Sequence, residues 1–119
     1  MIYIGNDIVK VSRILDLINT YKEKALSHIF THEEQLYCQS KIKPEIHYAG
    51  RFAAKEAIKK AILSYNPEVL LPLNCINILP VKNSAPKIEL DMVEFPVRKI
   101  RVSISHTDEF ATAVAIMEI

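Results

Sequence analysis

Four side chains in this 119-residue sequence are of types that do chemistry together: Asp7, Glu56, Lys60 and His106. Two carboxylates drawn from distant parts of a chain suit a hard divalent cation, which takes oxygen ligands and keeps waters for a phosphate-bearing partner. A lysine and a histidine beside them add donors for phosphate oxygens. Each residue alone also has an ordinary reading. Asp7, just after Gly5 near the end of a strand pattern, fits a turn or a cap. Glu56 and Lys60 stand in the favourable i, i+4 order for a helical ion pair, worth about 0.2–0.5 kcal/mol at a surface. His106 fits a structural histidine at a strand end.

The stretch RFAAKEAIKKA, residues 51–61, weighs against the ordinary reading of Glu56. Its residues fall at roughly 100° each around a helix predicted over Pro44–Tyr65. Arg51, Lys55 and Lys59 then share one arc, predicted to be a solvated face. Glu56 and Lys60 project from another sector, flanked by Ala49, Phe52, Ala53 and Leu63. A carboxylate leaving water costs several kcal/mol unless something compensates it. A lysine, a metal ion or the wall of a wet cleft is therefore expected to meet Glu56.

Other chemistries fit less well. His28, His32 and His47 have no zinc-like spacing, and neither Cys38 nor Cys75 has a close Cys or His partner of the right kind. Ser105 and His106 are adjacent on a strand and point to opposite faces, a poor arrangement for a serine nucleophile and its base. The chain has only two glycines, Gly5 and Gly50, which excludes a Rossmann or P-loop phosphate cradle.

These residues need elements to position them. Residues 2–8 read as a strand, and a helix follows from about Val11 to Leu26 with Ile14, Leu15, Ile18 and Tyr21 on one face. Thr31 and Glu34 in THEE make a capping box for a helix ending near Ser40. Pro44 opens the long helix. Asn66–Leu73 reads as a connection, 74–79 and 87–90 as short strands around the turn KNSAP, and Asp91–Lys99 as irregular. Residues 100–106 alternate as a half-buried strand, paired through the turn TDEF with ATAVAIME. The order predicts an α+β fold, helices packed on a mainly antiparallel sheet, in one domain spanning 1–119.

Composition is that of an ordinary globular chain, 50% hydrophobic and 24% charged with net charge +1, and gives no global field for nucleic acid or membrane. No apolar run approaches the roughly 20 residues that span a bilayer. The start, MIYIGND, lacks a basic n-region, so no signal peptide is expected and a reduced cytoplasmic compartment is the default. With two cysteines, a disulfide scaffold is not expected.

GND followed by Arg13, then FTHEE, RFAAKEAIKKA and SISHTDEFATAVA, occur in one order and at spacings covering almost the whole chain. Together they resemble the small bacterial holo-acyl-carrier-protein synthases of the phosphopantetheinyl transferase superfamily. The resemblance implies transfer of 4′-phosphopantetheine from coenzyme A to a serine of apo acyl carrier protein, for fatty-acid synthesis, with release of adenosine 3′,5′-bisphosphate. It implies that Asp7 and Glu56 hold magnesium against the pyrophosphate. Glu56, or a metal-bound water near it, then helps remove the serine proton, and Lys60 contacts the pyrophosphate. Ser105 and His106 line the nucleotide end, with His106 on the 3′-phosphate, and Arg51 and Lys55 assist coenzyme A binding. Arg13 matches a basic residue on the helix that receives the carrier protein. Relatives of this type are homotrimers, so Asp7 and Glu56 of one subunit are expected to face His106 of a neighbour across an intersubunit cleft.

The chain departs from the family pattern in two turns. Ser64–Pro67 and KNSAP both lack the usual glycine. Two rival readings stand beside the enzyme. One is a non-catalytic relative that binds coenzyme A or a carrier protein. The other is an unrelated α+β interaction domain in which Glu56 and Lys60 form a plain salt bridge.

Overall fold

The computed structural model describes residues 1–91 and 96–119. The predicted irregular stretch Asp91–Lys99 therefore lies partly outside the described residues. Strand β1 spans Ile2–Lys10, followed by α1 (Val11–Tyr21), α2 (Glu23–Ile29), α3 (His32–Gln39) and α4 (Pro44–Tyr65). A short 3-10 turn, Leu73–Cys75, leads to β2 (Ile76–Val81), β3 (Ser84–Leu90), β4 (Lys99–His106) and β5 (Phe110–Glu118). The strands are antiparallel throughout but form two sheets, a three-stranded β1-β5-β4 and a separate β2-β3 hairpin.

The period-2 pattern decides which sheet face meets α4. Gly5 and Val9 of β1, Val102 of β4, and Ala111, Ala113, Ala115 and Met117 of β5 are buried, with their alternating neighbours turned outward. The inward residues are small, and so are the facing helix positions Ala49, Ala53, Ala54, Ala57 and Ala61. Helix and sheet can therefore approach closely. At Gly5 the approach leaves no room for a side chain, since a Cβ there would lie 1.9 Å from the Ala57 carbonyl oxygen and 2.7 Å from the Ala61 nitrogen. Tyr3 meets Tyr65 edge-on with ring centroids 5.3 Å apart. β1 thus runs against the direction of α4, which puts Asp7 alongside the turn that carries Glu56 and Lys60.

Several local features follow the sequence reading. Thr31 caps α3 in a full capping box: its hydroxyl accepts from the Glu34 N–H at 3.2 Å, and its own N–H donates to Glu34 Oε1 at 2.8 Å. Pro44 stands in the first turn of α4. Cys38 and Cys75 are free thiols, and burial pushes the Cys38 thiol up to about 12, which makes it an unreactive core group.

The first helical segment departs from expectation. It breaks at Lys22, which has φ 48°, so that α1 and α2 replace one helix over 11–26. The Lys22 N–H closes α1 on the Ile18 carbonyl at 2.7 Å, and α2 then buries Ala25. On the expected apolar face, Ile14 is buried, but Leu15 and Tyr21 are exposed.

Both glycine-free turns have substitutes. Asn83 takes the left-handed position of the β2-β3 turn with φ 59°, a conformation that asparagine tolerates. After α4, Asn66 leaves the helix in an extended conformation, and its Oδ1 accepts from the Glu68 N–H at 3.0 Å. The chain thereby turns without a left-handed residue. No helix among the described residues is long and apolar enough to cross a membrane.

Candidate active site

Two adjacent residues of α4, Lys55 and Glu56, point into different worlds. Lys55 is fully buried, and its Nζ donates to the carbonyls of Ile29 at 2.8 Å, Leu73 at 2.9 Å and Ile76 at 2.7 Å. It also lies 2.6 Å from Glu34 Oε1, whose side chain is equally buried. Burial pushes the Lys55 ammonium below its usual range, while the Glu34 carboxylate works the other way. The oxygens crowded round Nζ suit an ammonium, which can only donate. Glu34 is saturated as well, because its Oε2 accepts the Ile78 N–H at 2.7 Å. One ion pair thus ties α3, α4 and the β2-β3 hairpin together.

This corrects the solvated arc expected of Arg51, Lys55 and Lys59. Lys55 is withdrawn from any cleft and has no donor left for coenzyme A. Arg51 is 7% exposed and lies over the Tyr37 ring, with its guanidinium carbon 4.1 Å from the centroid. The helical wheel cannot show this, because the partners that make burial of these cations tolerable come from α2, α3, the 3-10 turn and β2, outside the helix itself.

Glu56 is half-buried and has no hydrogen bond or ion pair among the described residues. Lys60, one turn on, does not pair with it. Its Nζ sits 3.0 Å from Asp7 Oδ1 and 3.1 Å from the Asn6 carbonyl, with the lysine side chain 55% exposed and the aspartate 17%. The i, i+4 salt bridge of the third reading is therefore absent from this arrangement. Asp7 is held from behind, since Thr112 on β5 donates its hydroxyl to the Asp7 carbonyl at 2.9 Å. Asp7 and Lys60 thus meet at the β1 side of the α4–sheet junction, with Glu56 one helical turn before Lys60 on the same helix.

The donor set fits a hard divalent cation: oxygen ligands, one carboxylate without a partner and a second beside the same helical turn. Among the described residues no group of three His, Cys, Asp or Glu side chains could hold a metal by itself. Waters and phosphate oxygens would have to complete a sphere begun by Asp7 and Glu56.

His106 lies elsewhere. It ends β4, separated from β1 by β5, which puts the two strands roughly 10 Å apart. There it lines a cavity of about 490 Å³ with Tyr37, His47, Arg51 and residues of the β2-β3 hairpin, including Ser84 and Pro86. Arg51 Nε is buried without a hydrogen-bond partner among the described residues. Ser105 is exposed on the outer face, opposite in direction to His106, and does not line this cavity. Arg13 is exposed on α1. His47, Tyr37 and the hairpin are cavity residues beyond those expected from the sequence. His47 precedes Arg51 by one helical turn and shares its face, a spacing that was legible once Arg51 was singled out.

The matches to known proteins agree with this fold. Residues 3–115 match the family model of the 4′-phosphopantetheinyl transferase superfamily. The chain is 38% identical to a holo-[acyl-carrier-protein] synthase of Protochlamydia amoebophila, over 95% of this chain and 94% of that one. The crystal structure of the Helicobacter pylori holo-[acyl-carrier-protein] synthase in complex with coenzyme A superposes with a TM-score of 0.83 at 32% identity, covering 97% of this chain and 99% of that one. The enzyme from Neisseria meningitidis also gives 0.83, at 26% identity over 100% of both chains. The chain belongs to the 4′-phosphopantetheinyl transferase superfamily, among the holo-[acyl-carrier-protein] synthases.

Proposed function

We propose that the protein transfers 4′-phosphopantetheine from coenzyme A to a serine of apo acyl carrier protein, giving holo carrier protein and adenosine 3′,5′-bisphosphate. What supports this reading is the meeting of Asp7 on β1 with Lys60 on α4, one helical turn from an unpaired Glu56, in a chain of this superfamily. Magnesium, which Asp7 and Glu56 would hold, supplies positive charge to the coenzyme A pyrophosphate when bound.

The residues divide the rest of the work. Glu56, free of other partners, takes the proton of the attacking serine hydroxyl as the new oxygen–phosphorus bond forms. The bridging bond of the pyrophosphate breaks, and the negative charge that develops on the leaving phosphate falls to Lys60. His106 and Arg51 bind the nucleotide end at the cavity between α4, β4 and the hairpin. Ser105, on the outer face, would contact the nucleotide only from a neighbouring subunit's side. Exposed Arg13 offers a positive charge to the acidic carrier protein.

A homotrimer is the assembly we favour. The outer face of the three-stranded sheet exposes Ile2, Ile4 and Ile8 on β1 beside Phe110, Val114 and Ile116 on β5. Contiguous apolar surface of this kind is expected to be covered by a partner. Within one chain the carboxylates and His106 lie on opposite edges of that sheet. A second copy packed on the sheet face would bring its His106 edge toward the first copy's carboxylates. The setting is cytoplasmic, in fatty-acid synthesis.

The test is to incubate the purified protein with apo acyl carrier protein, coenzyme A and magnesium and to measure the intact mass of the carrier. A gain of one phosphopantetheine, lost when magnesium is chelated, is the expected result. Coenzyme A binding without any mass gain across several carriers would mark a non-catalytic relative instead.

A further inference from the structure

His47 has no part in the reaction described above, yet it stands at the centre of the nucleotide cavity. Its ring meets the His106 ring with centroids 6.1 Å apart and the Tyr37 ring at 5.8 Å, and Arg51 lines the same wall. Arg51 lines this cavity, is more than nine-tenths buried, and has no ion-pair partner among the described residues, so its guanidinium charge is left to be met by an anion. Two imidazoles and a guanidinium make a donor set for a phosphate monoester, which carries about −1.5 to −2 charge at neutral pH.

We propose that His47 is a second imidazole of this phosphate site and takes up one proton from solvent when the 3′-phosphate of the nucleotide enters, so that this chain's affinity for its substrate rises as pH falls. The inference rests on the reading of the cavity as the nucleotide site.

The surroundings of His47 give the sign. Arg51 on its own helix, Lys41 before that helix and His106 on β4 all add positive character, and burial acts with them. Together they hold the imidazole below its ordinary value, with Glu45 alone opposing. Tyr37 on α3 packs against the ring as well as under Arg51. An empty-handed His47 is therefore neutral near pH 7. A phosphate dianion among these groups reverses the balance and favours the imidazolium, which can donate from both nitrogens. By linkage, a group protonated only in the complex makes binding tighter below its bound pKa and adds nothing far above it.

Titration calorimetry on the full chain with adenosine 3′,5′-bisphosphate, from pH 6 to pH 8.5 in buffers of different ionisation heat, reads affinity and protons bound together. The wild-type protein is expected to take up more protons than His47→Gln and His47→Phe. Both variants should lose about tenfold in affinity at the acid end and little at the alkaline end. His47→Phe keeps an aromatic ring against Tyr37 and His106, so a matching loss in both variants assigns the effect to the proton rather than to packing. Adenosine 5′-monophosphate, lacking the 3′-phosphate, should show no difference between wild type and variants. An unchanged proton count in both variants, with the bisphosphate still bound, would overturn the role of His47 alone. Failure of the wild-type protein to bind either nucleotide would overturn the reading of the cavity, and this inference with it.

Discussion

Lys55 and Lys60 sit on the same helix, and each is paired with a carboxylate from a distant part of the chain. In every other respect they differ. Lys55 is sealed in the core, its Nζ ringed by Glu34 and three carbonyls. Lys60 is more than half exposed on Asp7, with Glu56 unpaired one turn away. A buried pair satisfied by further hydrogen bonds is committed to the fold, because every donor and acceptor is spent and none can turn to a ligand. An exposed pair beside a free carboxylate can exchange partners cheaply. One face of α4 thus serves architecture, and the adjoining face keeps its charged groups available to a ligand. Their charged residues look alike in the sequence.

The comparison can be broken first on its buried side. Lys55→Met leaves Glu34 charged and unpaired in the core, and should cost about 3–5 kcal/mol of stability, read by denaturant unfolding. Removing both partners, as Lys55→Met with Glu34→Leu, should be less damaging than the sum of the single changes. Recovery should be incomplete, since the Thr31 and Ile78 N–H groups lose their acceptor. A Lys55→Met protein as stable as wild type would show that the pair is not structural.

On the exposed side the effects should move from stability to rate. Lys60→Ala is expected to lower the transfer rate about 10²–10³-fold, as for loss of one charge-stabilising donor. Its unfolding free energy should shift by less than about 1 kcal/mol. Stopped assays with saturating coenzyme A and carrier protein measure the first, and the same denaturant experiment measures the second. A large stability loss with an unchanged rate would exchange the roles assigned to the two lysines.

Gly5 joins the two regions. Gly5→Ala pushes a methyl group into the Ala57 carbonyl, so β1 and α4 must separate. The expected cost is about 1–3 kcal/mol of stability. The rate should fall as well, because Asp7, two residues on, moves relative to Glu56. Loss of stability with full activity would show that the close approach serves packing alone.

Much of the fold was legible because the relevant signals are local. The capping box at Thr31, the proline opening α4 and the alternation over 100–106 each state their structure within a few residues. The break at Lys22 was not legible, since the helical period of Ile14, Ile18 and Tyr21 continues past it into Ala25. The burial of Lys55 was hidden for the opposite reason. The acceptors that make it possible lie on α2, α3, the 3-10 turn and β2, and no helical wheel contains them. At the candidate site, residue type and family pattern point to Asp7, Glu56 and Lys60, but the Asp7–Lys60 pair is not legible, because only the packing of β1 on α4 brings the two together. The place of His47 was not legible, because the rings that frame it, Tyr37 and His106, come from α3 and β4.

The central claim is that Asp7 and Glu56 share one divalent ion. Manganese titrated into the protein with coenzyme A present, and followed by the electron paramagnetic resonance of the free ion, tests it directly. Asp7→Asn and Glu56→Gln should each weaken metal binding by more than about tenfold while leaving the fold intact. Manganese held as tightly by either variant as by the wild-type chain would contradict the account.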